Sequence, residues 1–473
     1  MTNTLTTSRQ TRANRPVHRG LLLLVLALTQ LTITLDTTIV TVALPSLQAD
    51  LDISDANRHW VITIYAIAFG GLLLLGGRLG DYIGRKRALV GSLIGFGLAS
   101  LLGGLASTAG LVYAARGLQG AFAAVLAPVV LSLITTTFVE PAERARAFAV
   151  WGGVGGLGGS LGLILGGFLT EFTSWRWTLL VNTPLTVAIA VAAFMVVRES
   201  RVVDRSGYDL PGTIASTAGI AALVFGATQA ESHGWISTNT LTPLVVGLIL
   251  VVAFIAIERK TRNPLLPLSI LTDRVRGSSF LATAFLSGAI FASNVLVIYY
   301  FQAVRGFSAL QSGFAFLPST LSIVVFATLG GRLMQTIGAR ATVILGAAAG
   351  VAGFLLLAGA DVTTGLGLII PAMVLIGVAV GLTWPVLSAT ALAGVPDEQA
   401  GAAGGAVNAA QQVSGAIAIA VLNTVAASVS ATRGSLMEGL SVAFIGGAIL
   451  LALTAIASLG IQTSRRDLGN HPS

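Results

Sequence analysis

No cysteine occurs in the 473 residues, which excludes disulfides, thiolate metal sites and cysteine nucleophiles. Charge is scarce as well. Asp, Glu, Lys and Arg make up 10% of the chain, against about 25% in an ordinary soluble domain. So few charges cannot cover a water-facing surface of this size, and most of the exterior must face lipid. No basic segment large enough to fold stands outside the apolar runs, so the formal net charge of +8 does not point to nucleic acid. The basic residues instead form short clusters between apolar stretches, the pattern of loops at an anionic membrane face.

What is present is a series of apolar windows, each near the ~20 residues a helix needs to cross a bilayer. They fall near 20–44, 59–77, 88–107, 111–137, 149–170, 178–197 and 211–229, then near 240–258, 279–301, 310–333, 340–359, 366–392, 404–426 and 440–461. The first follows Arg9, Arg12, Arg15 and Arg19, as a signal peptide would. Its length and its Asp36 make it a retained first helix. About fourteen spans put both termini on one side. With that side cytoplasmic, 22 of the 27 Lys and Arg lie in inner segments and four, Arg58, Arg176, Arg305 and Arg433, in outer ones. Arg116 is left inside a span. Dropping any one helix would invert everything after it and spoil this asymmetry.

The chain also repeats itself. Gly77-Arg78-Leu79-Gly80-Asp81-Tyr82-Ile83-Gly84-Arg85-Lys86-Arg87 joins spans two and three, and Gly331-Arg332-Leu333-Met334-Gln335-Thr336-Ile337-Gly338-Ala339-Arg340 joins spans ten and eleven. The shared skeleton is G-R-L-x-x-x-I-G-x-R/K. Two parallel halves related by an axis along the membrane normal are one plan of secondary transporters. The copies are eight spans apart, so two extra helices, spans seven and eight, lie between six-helix halves. The expected fold is an all-α polytopic membrane protein of two six-helix bundles plus two extra helices. The expected parts are a cytoplasmic tail at 1–19, an N-terminal bundle at 20–200, two linker helices with flanking loops at 201–275, a C-terminal bundle at 276–462 and a second tail at 463–473.

Several motifs then become specific. Gly77 to Arg87 resembles the signature loop of the major facilitator superfamily. Leu35-Asp36-Thr37-Thr38-Ile39-Val40-Thr41-Val42-Ala43-Leu44-Pro45 resembles the first-helix motif of its fourteen-helix drug:proton antiporters. Arg116-Gly117-Leu118-Gln119-Gly120 is similar to the fourth-helix motif R-x-x-Q-G, and Trp175-Arg176-Trp177 with Asn182 and Pro184 to that branch's junction before helix six. The C-terminal half matches through the repeated loop and the Gly401, Asn408, Gln412 and Gly415 stretch. The helix-five signature G-x-x-x-G-P-x-x-G-G is matched by Gly158, Gly162, Gly166 and Gly167, with Leu163 in place of its proline. No acid lies between Gln311 and Leu333, where relatives that export dicationic drugs carry one. The resemblance implies proton-coupled export of lipophilic, neutral or monocationic compounds.

Ionisable groups at membrane depth are functional candidates by default. Asp36, sixteen residues from Gly20, lies about 24 Å into the first helix at 1.5 Å per residue. Arg116 lies about 8 Å from the outer end of the fourth by the same rise. In a core about 30 Å thick the two depths agree. A carboxylate taken out of water favours its protonated form, and a nearby guanidinium opposes that. A site whose proton affinity follows hydration and the distance to Arg116 can load and release a proton in different conformations. Asp36 and Arg116 are therefore the proton-coupling candidates, and the alternative is a static buried pair.

Gly77, Arg78, Asp81, Gly84, Arg85, Lys86 and Arg87 are candidates for a cytoplasmic gate, since topology alone needs the bases but not Asp81. The small residues of helix five allow close helix approach, as packing or as a rocking contact between bundles. Gln30, Thr34, Gln119, Asn294, Tyr299, Trp384, Asn408 and Gln412 are candidates for a substrate pocket, although interhelical hydrogen bonds explain them equally well. His18 and His59 fall in loops and have no assigned role. No metal site and no cofactor are expected; the proton is the coupling ion. The expectation is a monomeric plasma-membrane antiporter with both termini cytoplasmic, whose partners are a small-molecule substrate, protons and the lipid bilayer, without nucleic acid. The alternative is a dedicated exporter of one endogenous metabolite, antibiotic or lipid-like molecule. A membrane enzyme would need clustered His, Asp or Glu on facing helices, which the chain does not offer.

Overall fold

The computed structural model describes residues 19–54, 57, 60–199, 209–261, 264–361, 364–396 and 399–461. Of the expected tails only Arg19 falls within that set; His18, His59, Arg58 and the bases at 201, 205, 262, 465 and 466 lie outside the described residues. Fourteen helices among the described residues are long and apolar enough to cross a membrane.

The N-terminal half contains α1 (Arg19–Asp50), α2 (Trp60–Ile83), α3 (Arg85–Gly104), α4 (Ala109–Thr137) and α5 (Pro141–Phe172). Its sixth span comprises α6 (Arg176–Leu180) and α7 (Asn182–Val196), joined through Val181, whose dihedrals are also helical. The linker hairpin is α8 (Leu210–His233) and α9 (Thr238–Glu258). A short α10 (Ser269–Thr272) leads to α11 (Arg274–Tyr299), which continues as a π-helical turn over Tyr300–Val304. Span ten is α12 (Ala309–Ala315) with α13 (Leu317–Thr336), followed by α14 (Ala339–Ala358), α15 (Leu366–Ala391), α16 (Ala400–Arg433) and α17 (Leu436–Ala457).

The repeat in the sequence is a repeat in packing. α1 packs on α5 as α11 packs on α16, α2 on α4 as α13 on α15, and α3 on α7 as α14 on α17. The two halves meet along two seams that exchange roles, α2 against α16 and α5 against α13. In both copies of the repeated loop the glycine before the new helix has positive φ, 103° at Gly84 and 88° at Gly338. A side chain there would be strained, so glycine permits the tight reversal that starts α3 and α14.

These loops define the basic end of the molecule, and there both seams are closed by backbone contact. A Cβ on Gly77 would strike the Gly401 carbonyl across the α2–α16 seam, and one on Gly331 would come 3.4 Å from the Ala145 carbonyl across α13–α5. Towards the other end α8 lies over α2 and α16. Its Ala221 and Val224 pack at Gly71 and Gly70, Phe225 stacks on Trp60 at 5.8 Å, and just past its end Trp235 Nε1 donates to Thr424 Oγ1 at 3.0 Å. The extra hairpin is thus not simply peripheral. α8 joins both halves along one seam, while α9 packs on α8 and exposes Val245, Leu248, Ile249 and Val252.

Close approach of α2 to α4 rests on Gly76, where a Cβ would collide with the Ala124 carbonyl. Gly91 has nothing within 4 Å of its Cβ position. Gly76→Ala is expected to cost about 1–3 kcal/mol through forced separation of the helices, seen as a lower melting temperature in detergent. Gly91→Ala should stay within about 0.5 kcal/mol of the parent. Equal melting of the two variants would remove the packing constraint at Gly76.

Candidate functional site

Asp36 is fully buried within the N-terminal bundle, and four helices supply its surroundings. Arg116 of α4 donates from Nη1 to Asp36 Oδ2 at 2.6 Å. Gln119, one turn along α4, donates from Nε2 to Asp36 Oδ1 at 2.9 Å, and Asn182 at the start of α7 donates from Nδ2 to the same oxygen at 2.8 Å. The helical spacing of three residues places Arg116 and Gln119 on one face. Gln119 Oε1 in turn accepts from Arg116 Nη1 at 2.9 Å, and Gln119 Nε2 also reaches Ser100 Oγ of α3 at 2.8 Å.

The guanidinium is held through Nε, Nη1 and an aromatic ring. Its Nε donates to the Val61 carbonyl at 3.1 Å, and the Tyr65 ring of α2 lies 4.3 Å from its Cζ. Removing one partner of a buried ion pair typically costs about 3–5 kcal/mol, because the other charge is stranded. Here Arg116 keeps its carbonyl, amide and aromatic partners if Asp36 is neutralised, which softens that penalty.

The glycines of α5 shape the space beside this cluster. Gly158, Gly162 and Gly166 face α1, packing on Thr34, Thr38 and Ile39 on either side of Asp36. Gly153, Gly156 and Gly167 face the other half, against Ala327, Ile323 and Leu310. The two readings of the motif therefore separate by face: the matched stripe packs within its own bundle, while neighbouring glycines and Gly167 make the contact between halves. Ser160 and Thr320 add a side-chain hydrogen bond across the same seam. Leu163, where the motif has proline, lies within the continuous helix α5 and packs into the core of the C-terminal half. Between α1, α5 and α12 lies a recess of about 350 Å³ lined by Leu35, Leu161, Ile164, Leu165, Phe168, Leu310 and Phe314, every one apolar.

At the basic end, Asp81 and Arg85 are both buried and form an ion pair of 3.2 Å. The other carboxylate oxygen of Asp81 faces Gly401 in the first turn of α16, where the exposed amides of a helix N-terminus favour an anion. Arg78 is half-buried one turn earlier. Lys86 and Arg87 turn instead to the end of the sixth span: the Lys86 ammonium lies 4.5 Å from the Phe194 ring centre, and Arg87 Nε is 3.5 Å from Glu199.

The candidate pocket residues do not form one group. Gln30 accepts from Trp151 Nε1 at 3.1 Å and donates to Thr34 Oγ1 at 3.3 Å. Trp384 packs near Phe291, and Gln412 lies by Gly70 across the seam. Asn408 donates to the Gly404 carbonyl of its own helix at 2.9 Å. Asn294 and Tyr299 are exposed. Gln119 belongs to the Asp36 cluster and is fully buried there.

Sequence reasoning left Tyr65 and Ser100 unmarked, because neutral polar residues at helix spacing carry no signal of their own, and placed Asn182 in the junction motif without linking it to Asp36. It also left Asp50, which accepts from Trp175 Nε1 at 3.1 Å and Arg176 Nη1 at 2.6 Å. That contact explains the Trp-Arg pair as a clasp between the ends of α1 and α6. Glu258, buried at the end of α9, accepts from the Leu265 and Leu266 amides and holds the hairpin to the following loop.

Comparison with known proteins gives a consistent result. The sequence profile of the Major Facilitator Superfamily matches residues 26–419. The chain is 41% identical to the puromycin resistance protein pur8 of Streptomyces alboniger, over 94% of this chain and 92% of that protein. It is 38% identical to the cephamycin export protein CmcT of Amycolatopsis lactamdurans, over 89% of this chain and 88% of that one. The structure resembles the human organic anion transporter MFSD10 (TETRAN), with a TM-score of 0.67 at 18% identity, covering 93% of this chain and 99% of that one. With its fourteen spans and two repeated bundles, the chain belongs to the Major Facilitator Superfamily and is a multi-pass membrane transporter.

Proposed function

We propose that this transporter is an exporter driven by proton entry, a drug:proton antiporter acting by alternating access. The observation that carries the reading is the buried Asp36, bound by Arg116, Gln119 and Asn182 at the heart of one bundle. A carboxylate in that position costs too much to keep for packing alone, since apolar groups of similar volume often stabilise as well. Its proton affinity must change when movement of the bundles admits water or shifts Arg116. That dependence is what couples a downhill proton to an uphill substrate.

The apolar recess beside Leu35 and the absence of any acid in α13 support lipophilic, neutral or monocationic substrates. The basic end faces the cytoplasm in this reading, by the positive-inside rule, in the plasma membrane and with the protein acting as a monomer. Asp81 then latches the cytoplasmic side by joining Arg85 to the start of α16. A dedicated exporter of one antibiotic or metabolite is the second reading. It is favoured by the names of two relatives, each of which refers to a single antibiotic.

Two experiments test these statements. In energised inverted vesicles, wild-type protein should drive ethidium transport that a protonophore abolishes, and Asp36→Asn should transport no more than the protonophore-treated control. Sustained proton-driven transport by the variant removes Asp36 from the coupling step; no transport of any lipophilic cation by wild type moves the assignment to the dedicated exporter. The second experiment uses the cysteine-free background. The Cβ positions of Ala149 and Gly331 are 3.8 Å apart across the α5–α13 seam, about the mean for a disulfide. The Ala149→Cys, Gly331→Cys double variant should lose both free thiols on oxidation and stop transporting until reduced. Undiminished transport by the oxidised protein means that this seam does not open during the cycle.

A further inference from the structure

Asp36 changes its hydrogen-bonding character when it binds a proton. The carboxylate only accepts, whereas the acid has an O–H that needs an acceptor of its own. In this buried cluster most acceptors are taken. Gln119 Oε1 is held by Arg116 Nη1, and the Val61 carbonyl by Arg116 Nε. Ser100 Oγ accepts from Gln119 Nε2 while its own hydroxyl donates to the Phe96 carbonyl at 2.8 Å. Rotating the Gln119 amide would set its NH2 group against the Arg116 guanidinium. Two groups differ, the Tyr65 hydroxyl and the Asn182 amide oxygen, each buried with no hydrogen-bond partner. Of the two, Asn182 is already bonded to Asp36, its Nδ2 donating to Oδ1, and Tyr65 is the competing acceptor that a phenylalanine variant removes.

We propose that Asn182 is a positioning residue that serves both protonation states of Asp36, donating through Nδ2 to the carboxylate and accepting through Oδ1 from the acid after its amide rotates. The proposal rests on the proton-coupled reading of Asp36. An amide presents nearly the same shape either way round, so the exchange needs no repacking. A buried polar group left without a partner is costly, so the acid depends on this acceptor. The ionisable groups that face Asp36 are Arg116 from α4 and the Tyr65 phenol from α2. α3, α5 and α7 contribute Ser100, the glycine stripe and Asn182 itself, all neutral.

The position of Asn182 gives the exchange a consequence. It is the first residue of α7, one helical residue beyond α6 in the sixth span. At the start of that span Trp175 and Arg176 fix the chain to Asp50 at the end of α1. A proton on Asp36 is therefore read by a span that is clasped to α1 at its start and packed on both α3 and α1 along its length.

The test combines pH-difference infrared spectra of the protein in lipid with the pH profile of ethidium transport in proteoliposomes. Wild type should show a carboxylic acid band on acidification, absent from Asp36→Asn, together with an amide band that shifts when asparagine is isotopically labelled. In Asn182→Leu the carboxylate keeps two donors while the acid loses its acceptor. Loss of the Nδ2 donor raises the transport midpoint and loss of the Oδ1 acceptor lowers it. The exchange requires the acceptor to outweigh the donor, so the midpoint should fall, the acid band should move and the labelled amide signal should disappear. A rise marks a donor-only Asn182 and overturns the exchange. Asn182→Ser, whose hydroxyl can donate or accept, should return the midpoint towards wild type, and Tyr65→Phe should leave it unchanged. An unaltered midpoint and acid band in Asn182→Leu overturns the role of Asn182, as does a midpoint that moves only in Tyr65→Phe. If the leucine variant does not fold, a wild-type difference spectrum without any labelled-asparagine signal overturns it equally. Proton-driven transport that survives Asp36→Asn is a different failure, that of the coupling assignment itself.

Discussion

Inside the hydrocarbon there is no water to satisfy a polar group, and the rest of this structure follows from that condition. Backbone groups meet it by forming helices throughout the described spans. Hydroxyls meet it by bonding back to their own helix, as Thr29, Thr32, Ser100 and Thr186 do. Asp36 and Arg116 cannot be satisfied locally. Each must gather partners from other helices, and in doing so they fix how α1, α2, α3, α4 and α7 sit together.

Hydrophobic burial does not hold helices together in lipid as it does in water, so close packing and interhelical hydrogen bonds carry more of the work. The glycines supply that closeness. α5 has one glycine face for α1 and another for the opposite half, so a single helix is both a structural wall of its bundle and a contact surface between bundles. The α2–α16 seam is built differently. It is closed at the basic end by Gly77, Asp81 and Gly401, and is roofed further along by α8. The contact between the halves on this side includes a third element that the α5–α13 seam lacks, and the pseudo-symmetry of the repeat is broken there.

The resemblance to drug exporters and the names of the relatives agree on the family, while the buried polar chemistry of the N-terminal bundle is concentrated in a few side chains. The acid, the base and the amides around Asp36 form a closed set in which each member constrains the next. The carboxylate is bound at both oxygens, the guanidinium at its carbonyl, amide and ring, and Gln119 at both ends of its amide. The Tyr65 hydroxyl and the Asn182 amide oxygen are the atoms to spare, and Asn182 also donates to Asp36.

Much of this was legible in the sequence. Span length, charge asymmetry and the G-R-L-x-x-x-I-G skeleton determined the number of helices and the two-fold plan, because the bilayer thickness and the cost of charge in lipid act on composition directly. The level depths of Asp36 and Arg116 followed from helix rise alone. Tertiary structure decided which neutral groups complete that site, because Tyr65, Ser100 and Asn182 come from three further helices and their rotation about each axis is set by packing. It likewise moved Gln119 from pocket to ion pair, and placed α8 across a seam. A linear sequence fixes how deep a residue lies along its own helix; which neighbour that residue faces depends on the mutual rotation of helices, and only the packed bundle determines that.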